Sequence, residues 1–160
     1  MDRTQRLNSL GPVRLRLLDC LGGNSRWAPG YFDPPPDANI FDAFRSYVQG
    51  LGAHWATLTD PPAVSLLAAA RLMIGDITAA REILERLPEN AIKLDHGAGQ
   101  CLVAAPQTLR AVLPLPAELS DSSRWLAGSD EQKALLAWLS EHEPHLRWQE
   151  EGGGYTAARA

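Results

Sequence analysis

Four places in this sequence carry residue types that could do chemistry. The first is Cys101, which follows Gly99-Gln100 and stands a few residues after Asp95 and His96. Drawn together across a tight turn, these would supply a thiol nucleophile, a base and a group to orient it. Alternation of Cys101 with apolar Leu102 and Val103 argues instead for a small buried thiol. The second is His142-Glu143-Pro144-His145, which has metal-binding residue types. Pro144 interrupts any helix there, so the two histidines lack the i, i+4 spacing of a zinc helix. Gly152-Gly153-Gly154 is the third; without a following helix or a Lys-Ser/Thr pair it is turn material and not a phosphate loop. The fourth is the set of five tryptophans at 27, 55, 125, 138 and 148, each beside an apolar stretch that can bury it. No catalytic residue, metal ligand or cofactor is therefore expected.

Charge narrows the partner class. The chain has 160 residues, 45% of them apolar, and a net charge of −4. Residues 1–26 are the basic part, with Arg3, Arg6, Arg14, Arg16 and Arg26 against Asp2 and Asp19. Residues 59–160 are net acidic, which opposes the cation clustering that displaces counterions from phosphates. Nucleic acid is disfavoured, and the basic segment reads as a solvated helix or arm. Cys20 and Cys101 have no CxxC spacing, so reduced thiols and a cytoplasmic location are the expectation. No apolar run is long enough for a bilayer, and the N-terminus MDRTQRLNSLG lacks a signal-peptide core. Thirteen arginines against two lysines associate with a GC-rich bacterial genome.

The elements that must position these residues follow from spacing. Residues 1–36 read as an N-terminal helix over 12–23, opened by Pro12 and closed by Gly22-Gly23, followed by a proline-rich linker pinned through Trp27, Tyr31 and Phe32. In residues 37–105, Ile40, Phe41, Phe44, Tyr47, Val48 and Leu51 form one helical stripe capped by Asp37. A short strand is expected at 53–58. Helices follow at 61–74 and 77–87, separated by Gly75-Asp76, and a glycine-tipped hairpin at 92–105 closes the unit. Residues 106–160 give a short helix at 106–113, a helical turn near 123–127, and a helix at 130–141 with Ser129 and Gln132 as a capping box. A second hairpin over 146–159 ends the chain. The fold class expected is α+β, mainly helical, with two helix-plus-hairpin units in one compact globule.

ARLMIGDITAAREILERL followed by a hairpin ending GAGQCLVAA resembles the helix-turn-helix and wing of bacterial winged-helix repressors over residues 59–105. The resemblance implies buried Ala70, Leu72, Ala80, Leu84 and Leu87, a recognition helix at 77–87, and a wing tip at His96–Gly99. It departs from that pattern by one extra residue near Met73–Asp76. Its DNA-facing surface alternates Arg81 and Arg86 with Glu82 and Glu85, and Asp95 stands on the wing. GDITAAREILERLP also resembles one tetratricopeptide unit, but a single copy cannot stack.

The reading that follows is a non-enzymatic protein-interaction module: an adaptor, chaperone, inhibitor or assembly subunit. Its expected partner is another protein, met through Trp138 at the edge of its helical stripe and through Trp148 and Tyr155 on the second hairpin, whose strand edges are open for pairing. The alternative is a winged-helix DNA-binding regulator whose Arg81, Arg86 and basic N-terminal segment touch phosphates. A cysteine enzyme using Cys101 stands third.

Overall fold

A computed structural model describes residues 2–23, 32–55, 61–87, 97–122 and 125–157. The described residues are mainly helical, with one antiparallel two-stranded sheet, and the α+β class holds. In chain order they form α1 (Arg3–Asn8), α2 (Pro12–Gly23), α3 (Ile40–Trp55), α4 (Pro61–Leu72), α5 (Thr78–Glu85), α6 (Gly97–Val112), α7 (Ala117–Ser120), α8 (Asp130–His142), β1 (Leu146–Gln149) and β2 (Gly154–Ala157).

Helix α4 is the centre. Its Leu66, Ala68, Ala69, Ala70 and Leu72 are buried, as is Met73 just after it, and the helix packs against α2, α3, α5 and α6 while Arg71 in its last turn reaches the rim. A helix with so wide an apolar surface has to be enclosed over most of its girth, and the run of alanines lets its neighbours approach closely. Phe44, Val48 and Leu51 bring α3 to it, as the stripe predicts. The start of α3 is capped by Asn39, not Asp37: the Asn39 side-chain oxygen accepts from the backbone N–H of Phe41 and Asp42. Arg6 on α1 donates to the carbonyls of Pro35 and Ala38, and Phe32 lies edge-on to Phe44, so the proline-rich stretch is fastened at both ends of its described part. Trp27 and Tyr31 lie outside the described residues.

Three expected elements differ. Residues 53–55 continue α3, so no strand begins there, and 56–58 lie outside the described residues. The hairpin expected over 92–105 is not formed in its described part: residues 97–105 are the first half of α6, which runs through Pro106 to Val112. Leu102 and Val103 are β-formers by type, but the spacing of Ala105, Leu109 and Val112 puts one continuous helical face against α4, and that packing prevails. The helical turn lies at Ala117–Ser120, earlier than expected, and Trp125 anchors the following segment by donating to the Leu119 carbonyl under the Arg110 guanidinium.

The α4–α5 turn is held by a network of ion pairs and hydrogen bonds. Gly75 takes φ +100°, a left-handed conformation that glycine adopts without strain. Arg71 donates from Nε and Nη2 to Asp76 Oδ2, at 2.9 and 2.7 Å, and from Nη1 to Glu82 Oε2 at 2.8 Å. Asp76 Oδ1 accepts from the Thr78 backbone and hydroxyl. Burial raises the Asp76 carboxyl, but the hydrogen bonds from Thr78 and Arg71 and the Arg71 charge outweigh it and hold the group below the usual carboxylate range. A depressed carboxyl stabilises the fold above its ordinary value, near about 3.9, and that contribution disappears as the pH falls through the native value. Asp76→Asn is therefore expected to lower the urea midpoint at pH 6. The gap between variant and native chain should close as the pH is taken down through that range.

Candidate functional site

Helical spacing explains the centre of the site. Leu10, Arg14, Leu17 and Leu21 fall on one face near and along α2, and all four are buried, Arg14 at only 1% exposure. A guanidinium carried into the core on an apolar stripe must find partners there. Arg14 finds aromatic faces: its Cζ lies 5.2 Å from the Phe41 ring centre, 5.4 Å from Phe44 and 5.2 Å from Trp148. Its Nη2 donates to the carbonyls of Met73, at 3.4 Å, and Glu150, at 3.3 Å. Burial lowers the Arg14 pKa, the Glu150 carboxylate opposes that shift, and Arg45 adds to it.

The β1–β2 ribbon closes over this arginine. Trp148 pairs with Tyr155 across the strands, with ring centres 5.0 Å apart. The Tyr155 hydroxyl donates to the Leu72 carbonyl at 2.9 Å, tying the ribbon to the end of α4. Trp148 lies on Gly75, where an added Cβ would come within 3.2 Å of its ring. At the turn, Glu150 Oε2 accepts from the Trp148 indole N–H and lies 3.2 Å from Arg45 and 4.0 Å from Arg14. At this site three buried atoms have no protein partner among the described residues: Arg14 Nε and Nη1, and Glu150 Oε1.

The residues expected from sequence divide between this site and the opposite helices. Trp148 and Tyr155 are brought together, facing inward; Tyr155 is 5% exposed and Trp148 half-buried. Trp138 is half-buried on α8, where the His142 ring stacks on it at 4.4 Å and His142 Nδ1 meets the Trp138 carbonyl. Arg81 joins α5 to α8, donating to Ser140 at 3.0 Å and pairing with Glu143 at 3.6 Å. Arg86 is exposed on the residue after α5.

Ser129 caps α8 as expected. The Gln132 side chain, however, bonds Gly128 and the Leu84 carbonyl, fastening α8 to α5 instead of closing the box on Ser129. Cys101 lies on α6, so the hairpin that would fold it back on Asp95 and His96 is absent over 97–105; Asp95 and His96 themselves lie outside the described residues. Among the described residues no group of three or more His, Cys, Asp or Glu is placed to hold a metal.

Arg14 and Arg45 carry no motif, and the charge count placed Arg14 in a solvated basic arm. The available signal was the i, i+3 and i+4 spacing of Arg14 with Leu10 and Leu17. A separate cavity of about 130 Å³ lies between α2 and α6, lined by Val13, Arg16, Leu17, Gln107 and Thr108.

No protein-family model matches the chain, and no curated protein or solved structure matches it significantly.

Burial pushes the Tyr155 phenol above its ordinary value, and the Asp76 charge adds to the shift. A raised phenol stabilises the fold fully below the unfolded value of about 10, and the contribution is lost as the pH rises beyond it. Tyr155→Phe is expected to cost about 0.5–1.5 kcal/mol at neutral pH, with the deficit shrinking in urea titrations above pH ~10. Gly75→Ala should cost about 1–3 kcal/mol through its backbone alone, with the Trp148 contact adding to it.

Proposed function

We propose that the chain is a non-enzymatic protein-interaction module whose C-terminal ribbon faces the partner. The observation that carries this reading is the ribbon's asymmetry. Leu146, Trp148 and Tyr155 turn toward the helices, while Arg147, Gln149 and Thr156 are exposed, and neither strand has a second neighbour among the described residues. Open strand edges pair readily with an added strand, whose side chains then supply specificity.

The surrounding chemistry supports the same choice. Of the basic N-terminal arginines, Arg3 pairs with Asp33, Arg6 bonds backbone carbonyls and Arg14 is buried; Arg16 is exposed, and Arg26 lies outside the described residues. Arg81 is held by Ser140 and Glu143. Cations engaged in this way offer little to a phosphate backbone, where affinity depends on charges free to displace counterions. No helix among the described residues is long and apolar enough to cross a membrane.

Photo-crosslinking residues placed at 147 and 156, on the exposed side of the ribbon, should give adducts with a discrete protein in the native host. The same group at position 46 on α3 should not. Adducts absent or equal at all three positions would overturn the reading. A salt-sensitive shift of duplex DNA at 50 mM salt, lost in Arg86→Ala, would transfer it to the DNA-binding alternative.

A further inference from the structure

The ribbon sits on its seat with an incomplete set of polar contacts. An arginine and a carboxylate that meet well do so through two parallel N–H to O bonds. The Arg14 guanidinium and the Glu150 carboxylate do not: the carboxylate comes no closer than 4.0 Å. Glu150 Oε2 is shared among Trp148, Arg45 and Arg14, while Oε1 has no protein partner among the described residues. Arg14 Nε and Nη1 also have none. The reason is geometric. Glu150 is the first residue of a tight turn whose Gly153 N–H bonds back to the Gln149 carbonyl, and its own carbonyl is held by Arg14. Backbone position therefore fixes where the carboxylate can reach. A carboxylate on a segment not bent into that turn is free of the restriction and can face Arg14 with both oxygens.

The remaining features of the seat define what such a segment must carry. Phe41 and Phe44 flank Arg14, and Arg45 at the rim, about one-third exposed, faces the same carboxylate. The third aromatic face over Arg14 comes from the ribbon itself, through Trp148, as does the neighbouring carboxylate. The helical body thus contributes two cations and two rings, and the ribbon contributes one ring and one anion two positions later.

We propose that the surface beneath the ribbon is a recognition site for an extended partner segment bearing an aromatic residue and, two positions on, a carboxylate, with the chain's own Trp148–Glu150 as its resident occupant. The ribbon is then a strap that a better-fitting segment displaces. This rests on the interaction-module reading and gives it a site and a partner chemistry. The connection before the ribbon, Glu143–His145, is a single short 3-10 turn, so release need not disturb α8.

The test offers the full chain a labelled synthetic peptide, LRWQEEGGGYTA, identical to residues 146–157, and follows anisotropy. Glu150→Gln, which removes the strap's anion but not the seat, should bind the peptide at least tenfold more tightly than the native chain. Adding Arg45→Gln at the exposed rim should reverse that gain at least tenfold, and a peptide with alanine in place of its tryptophan and first glutamate should not bind. Equal affinity of both chains, or binding indifferent to those two peptide residues, overturns the proposal. Hydrogen exchange on the native chain gives a second readout that needs no variant: at saturating peptide, amides of 146–157 should exchange faster while those of α4 do not change. Ribbon amides that exchange only with α4, whatever the peptide concentration, also overturn it. Crosslinking at 147 and 156 without peptide binding would leave the interaction module standing and remove the seat alone.

Discussion

The C-terminal end of this fold depends on keeping a guanidinium out of water. A two-stranded ribbon has too little interior to hold its shape alone, and the helical body cannot leave Arg14 facing solvent without opening the stripe it shares with Leu10, Leu17 and Leu21. Each problem answers the other. Trp148 and the Glu150 carbonyl cover the cation, while Arg14, Gly75 and the Leu72 carbonyl give the ribbon a floor. Desolvating a charge is costly, and flat aromatic faces recover part of that cost because arginine is weakly hydrated and stacks well. The result is a junction of four segments, from α2, α3, the α4–α5 turn and the ribbon, held by one side chain that no motif marks.

Much of the helical framework was legible because its signals are local. Pro12 with Gly22-Gly23 bounded α2, the apolar stripe defined α3, Gly75 separated α4 from α5, and Ser129 opened α8. The terminal ribbon was also visible, since alternation and a glycine turn are enough to suggest one. Ala70, Leu72, Ala80, Leu84 and Leu87, expected to be buried by the winged-helix resemblance, are buried. Compact antiparallel helix pairs of many kinds bury that pattern.

What could not be read depended on packing at a distance. Residues 97–105 contain two glycines and the Leu102-Val103 pair that suggest a ribbon, and Pro106 reads as a helix start. Contact of α6 with α4 along Ala105, Leu109 and Val112 instead carries the helix through the proline. Such an interior proline forfeits one backbone hydrogen bond, so only tertiary burial justifies it. The same limit applies to Arg14: composition counted a charge, while its surroundings come from residues up to position 150. Trp148 and Tyr155 were legible as residues of the terminal hairpin, but that they pair across it with both rings facing inward depends on the body beneath.

Helix α4 has a further consequence for how such a chain can change over generations. Ala68, Ala69 and Ala70 are each at most 1% exposed, and helices surround them. A bulkier residue there would push a neighbour away, and a glycine would loosen the helix itself. Mutational drift in this molecule therefore has a narrow corridor at three consecutive small residues, while exposed positions such as Arg147 and Thr156 remain free to diverge without disturbing the body that carries them.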